Sequence, residues 1–93
     1  MTTRKDLIIV KYTELENELK KHVDSSLFPS LDDIDVADLV YFVTLTFMGI
    51  TTPLQFHSKV MELSKTNGVV VSDAVVCIIA PLIAEFVSWL RVL

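Results

Sequence analysis

Two histidines, His22 and His57, and a single cysteine, Cys77, are the side chains in this sequence best suited to nucleophilic or metal chemistry near neutral pH. A nucleophile needs a base within hydrogen-bond reach and a third group that orients the base. Neither histidine has a cysteine or serine at a recognisable spacing, and the two fall on different segments, so both read as surface side chains. Cys77 lies inside an apolar run and has no second cysteine to pair with, so it reads as a buried thiol in a reducing, intracellular setting. Asp73 and Glu85 are a conceivable carboxylate pair, but capping and solvent exposure account for them more simply. The acids at Asp32, Asp33 and Asp35 lack the glycine and distal glutamate of a calcium loop and suit the positive end of a helix dipole instead. The expectation is a chain with no catalytic residues, no metal site and no cofactor.

Composition narrows what such a chain can be. Its 93 residues make one domain, of a size that buries about 60–65% of the unfolded surface. The chain is 52% apolar and 22% charged, which excludes disorder and leaves apolar surface for a partner. The net charge is −4, and residues 1–35 carry most of it, with five basic against eight acidic side chains. Nucleic-acid affinity comes largely from Lys and Arg displacing counterions, so direct RNA or DNA binding by this domain is not expected. No secretory leader is expected either, since MTTRKDLIIVKYTE reaches Lys11 after four apolar residues. Residues 39–58 are uncharged, yet Gly49, the threonines and Pro53 interrupt them as a loop would, and a membrane span is not expected.

The elements that would position these groups read as helices almost throughout. Ile8, Tyr12, Leu15, Leu19 and Val23 recur at steps of three and four and define one face of a first helix. Pro29 marks a loop, because the residue before a proline disfavours helix. A second helix is expected from about Val36 to Met48; it is apolar nearly all round, as the central helix of a bundle would be, and Gly49 can stop it. Thr52-Pro53-Leu54-Gln55 combines a threonine cap, proline at the first helical position and Gln three residues after the cap, and so starts a third helix. Phe56, Val60 and Leu63 line its inner side, with His57, Lys59, Glu62 and Lys65 outward and Asn67-Gly68 at its end. Ser72-Asp73 opens a fourth helix within Val69–Leu93, twenty-five residues with only three charged side chains, Asp73, Glu85 and Arg91. Pro81 is expected to kink that helix or to begin a fifth. Phe42, Phe47, Phe56, Phe86 and Trp89 read as core aromatics. Phe86, Trp89 and Leu90 are also the candidate partner-binding residues, being large apolar groups at the end of a terminal helix.

Tyr12-Thr13-Glu14 opening an amphipathic helix, then Asp32-Asp33-Ile34, then Val36-Ala37-Asp38 leading into an apolar helix that stops at Gly49, resembles the N-terminal PWI-like domain of nuclear polyadenylated-RNA-binding zinc-finger proteins. The resemblance covers residues 12–50 and extends more loosely through Thr66-Asn67-Gly68 to the last helices. It implies a five-helix adaptor that tethers messenger ribonucleoprotein to processing or export factors while zinc fingers elsewhere bind the RNA. The chain departs from that pattern in having no Pro-Trp-Ile tripeptide. A shorter stretch, Val43-Thr44-Leu45-Thr46-Phe47 through Ile50-Thr51-Thr52-Pro53, is similar to the N-terminal motif of Ras-family exchange factors, where a helical domain supports a separate catalytic one. A small self-associating viral or phage accessory protein is a third class compatible with the apolar content. The sequence therefore reads as an all-α single domain, a bundle of four to five helices over residues 1–93. Its expected role is a non-catalytic adaptor with a protein partner, no nucleic acid and no membrane, and with homo-oligomers admitted.

Overall fold

The computed structural model describes residues 2–93, which form four α-helices and no strand: α1 (Arg4–Lys20), α2 (Val36–Thr46), α3 (Pro53–Thr66) and α4 (Asp73–Val92). Each helix begins at a residue whose side chain accepts from one of its free backbone donors. Thr3 and Asp6 form a capping box at α1, with the Asp6 N–H donating to Thr3 Oγ1 at 3.1 Å. Asp35 accepts from the Asp38 N–H at 2.8 Å at the start of α2. At α3 the expected box is present: Gln55 N–H donates to Thr52 Oγ1 at 3.2 Å, and Gln55 Oε1 accepts from the Thr52 N–H at 3.0 Å. Ser72 caps α4, which places Asp73 at its first helical position.

Helix ends are equally local in origin. After α3, the Gly68 N–H donates to Lys65 O and the Val69 N–H to Ser64 O, with Gly68 at φ +67°, which is the paired closure that glycine permits. The Asn67 side chain donates to Leu63 O and across to Leu27 O, fastening the loop after α1 to the end of α3. Residues 21–35 form that loop and contain no α-helix; the fold has four helices where the resemblance implies five. Val23, Leu27 and Phe28 from the loop are nonetheless core residues.

The α1 face is buried as its spacing requires, through Ile8, Tyr12, Leu15 and Leu19. The centre of the bundle is another matter. α4, and not α2, is the helix that packs against all three others. Val76, Ile79, Ile83, Phe86, Val87 and Leu90 supply its buried side. α2 is peripheral: Leu39 and Val43 face the core, while Tyr41 is 67% exposed and Leu45 is exposed beside it. Both helices are apolar around most of their circumference, so hydropathy does not rank them; α4 is the longer by nine residues and can span the bundle.

Pro81 neither breaks α4 nor begins a new helix. Proline removes the donor for the carbonyl four residues back, here Cys77. Pro81 and Cys77 are both exposed, so that carbonyl lies on the solvent side of the helix, where water can replace the lost bond. The remaining polar atoms are also accounted for. Among the described residues no buried side-chain nitrogen or oxygen lacks a partner, and the one buried polar side chain, Ser64, donates to Val60 O.

Candidate functional site

The outward stripe of α4 carries Cys77, Ile78, Pro81, Glu85 and Ser88, all exposed. A groove runs along each side of it. Between α3 and α4 an open, mostly apolar groove of about 500 Å³ is walled by Pro53, Phe56, Ala80, Pro81 and Ala84, with His57 and Cys77 also lining it. Between α1 and α4 a smaller groove of about 150 Å³ has Leu82 and Trp89 on its walls and Lys11, Glu14, Glu18 and Glu85 around it. Three carboxylates against one lysine make that rim acidic. Lys21 donates to Glu18 Oε1 at 2.9 Å, and this hydrogen bond, followed by the lysine charge, holds the Glu18 carboxyl below its usual range.

The three residues expected to bind a partner separate on burial. Phe86 and Leu90 are core side chains, only 5% and 8% exposed. Trp89 is half-buried: its ring lies 6.1 Å from Phe86, and Lys11 Nζ stands 5.7 Å from its centroid. Trp89 alone of the three is not buried, and its ring forms part of the α1–α4 groove wall. Arg91 donates through its guanidinium to Phe47 O at 2.7 Å and sits over the Phe56 ring, closing the C-terminus of α2.

A second grouping joins residues that the sequence placed apart. His57 on α3 is half-buried, not free on an outer face, and its Nε2 is 2.8 Å from Asp73 Oδ1 on α4. Cys77 is exposed where a buried thiol was expected, since it lies on the α4 stripe that no other helix covers. One donor atom from each of His57, Asp73 and Cys77 lies within 4.8 Å of the other two. The visible signal was Asp73 and Cys77 four residues apart, hence on one helix face. The third member comes from another helix, sixteen residues earlier, and only tertiary packing brings it in.

The spacing decides what these three groups can do together. In a thiol–imidazole–carboxylate relay the two hydrogen bonds lie on opposite sides of the ring, which sets thiol and carboxylate more than about 6 Å apart. Asp73 and Cys77 offer their atoms within 4.8 Å of each other, so the donors converge on one point and do not form a line. Convergence is the geometry of coordination. No protein-family model matches this chain, and neither a curated protein nor a solved structure does.

Proposed function

We propose that this domain is a non-catalytic protein-interaction module that receives an amphipathic, basic-flanked helix of a partner protein along the outer side of α4. One observation carries the reading: α4 is apolar enough for a fully wrapped core helix, yet only 39% of its most apolar 18-residue window is buried. The uncovered remainder is flanked by two grooves, which suits a helix laid between them with apolar side chains entering each. Glu14, Glu18 and Glu85 on the rim and a net charge of −4 select a partner with Lys or Arg beside its apolar face. The messenger-ribonucleoprotein setting implied by the family resemblance supplies the class of partner, a processing or export factor. A second copy of the chain would offer like charge to the same rim.

The single tryptophan reports on this surface directly. Peptides selected from a library of amphipathic helices with lysine flanks should change Trp89 emission on binding, and Glu85→Lys should weaken them. Trp89→Glu should abolish binding while the helical circular-dichroism spectrum persists. Undiminished affinity in both variants would sink the assignment of this face. If Trp89→Glu unfolds the chain, Glu85→Lys decides alone, because an exposed charge on the outer stripe is not needed for folding.

A further inference from the structure

We infer that His57, Asp73 and Cys77 form a binding site for a zinc-class divalent transition metal ion, lying across α3 and α4. The donor set is the first reason. A thiolate, an imidazole and a carboxylate together favour zinc or a similar borderline ion over calcium or magnesium, which take oxygen ligands alone.

Geometry is the second reason. Ligand atoms about 2.0–2.3 Å from one tetrahedral ion stand about 3.3–3.8 Å from each other. His57 and Asp73 are at 2.8 Å and all three atoms lie within 4.8 Å, so small rotations bring them to those separations. The backbones need not move. Asp73 and Cys77 are one turn apart on α4 and exposed, so their rotamers are free to adjust, while His57 is held more firmly with its side chain 25% exposed. When the ion binds, Cys77 Sγ forms the metal bond and its proton leaves to solvent; His57 passes its Nε2 proton to solvent and takes one up at Nδ1, so that Nε2 is free to coordinate, and Asp73 exchanges its hydrogen bond with that nitrogen for coordination.

Three protein ligands leave one tetrahedral position for water or for a donor from outside the chain. His57 and Cys77 both line the wide α3–α4 groove, so that position is reached from solvent. The ion would also tie α3 to the first turn of α4, where the His57–Asp73 bond now joins the two helices. Metal binding and folding are then linked, and the bound form is the more stable.

Cobalt(II), titrated into the whole chain kept reduced by a phosphine, is the probe. The expected result is one ion per chain, with the absorption of tetrahedral cobalt and a thiolate-to-cobalt charge-transfer band that zinc bleaches. Cys77→Ser should retain the helical spectrum and lose the charge-transfer band. His57→Ala should lower affinity by at least about tenfold, since removing even an outer partner of a ligand costs about 10–100-fold. Zinc should raise the melting temperature of the parent chain and not that of His57→Ala. The proposal is overturned by the absence of a charge-transfer band, by equal affinity in parent and variants, or by one ion shared between two chains. His57 and Cys77 share a groove with the α4 docking face, but that face is tested separately through Trp89 and Glu85, so the failure of one reading is distinguishable from the failure of the other.

Discussion

At the scale of single residues, Tyr12 ties the first loop to the core. Its ring is fully buried 5.8 Å from Phe86, and its hydroxyl donates to the Pro29 carbonyl. Burial first, and then the charge of nearby Glu16, push its pKa far above the usual tyrosine value. Glu16 is itself raised, chiefly by burial and further by Asp32, with Lys20 opposing. In the unfolded chain Tyr12 titrates near about 10. Above that pH the unfolded state gives up a proton that the folded state retains, so stability is fully present below about 10 and falls as pH rises further. Denaturant melts repeated from neutral to strongly alkaline pH should show this loss, and Tyr12→Phe should make it shallower. At neutral pH the same substitution should cost about 1–2 kcal/mol, because the Pro29 carbonyl loses its donor. An unchanged alkaline limb in Tyr12→Phe would place the titrating group elsewhere. The burial of Tyr12 was legible from its place in the Ile8–Leu19 series, but its hydroxyl partner was not, since Pro29 is seventeen residues away and only the folded loop brings it near.

At the scale of the elements, sequence and structure agree where the physics is local. Thr52, Pro53 and Gln55 satisfy the first donors of α3 among themselves, so their spacing alone marks the start. Thr52→Ala should therefore cost about 1 kcal/mol in a chemical melt, with no change in helix content at room temperature. Gly68→Ala makes a complementary case. An added Cβ meets nothing within 4 Å, so only the positive φ of +67° penalises it, by about 1–2 kcal/mol. Two silent substitutions would mean that α3 is held by its packing alone. Where the deciding interaction is long-range, the sequence is mute. The apolar circumference of α2 suggested a centre that α4 occupies, and Pro81 suggested a break that solvent exposure makes unnecessary. Cys77 followed the same logic: an apolar neighbourhood in sequence does not say which face of a helix another helix will cover.

At the scale of the molecule, two properties constrain what can approach it. α4 is long and apolar enough to cross a membrane, yet its buried side is the core of the bundle, with Val76, Ile79, Ile83 and Phe86 packed among the other helices. Transfer of α4 into a bilayer would uncover the apolar faces of α1 and α3 that it packs against. Charge is the second constraint. A chain carrying −4 repels the phosphate backbone, and its acidic groups crowd the rim beside Trp89 where docking is proposed. The isolated chain should then show no salt-sensitive binding to polyadenylate or to duplex at micromolar concentration, measured by fluorescence anisotropy of the labelled nucleic acid across a salt series. Submicromolar affinity that weakens steeply with salt would defeat the protein-only reading, since such a slope counts phosphates neutralised by cations. In that event the contact would have to be sought at Arg4 and Lys5, which meet beside Ile8 and Val40 at the start of α1. Arg4→Glu would then remove the salt-dependent part while leaving the α1–α4 and α3–α4 grooves, which Arg4 does not line, unaltered.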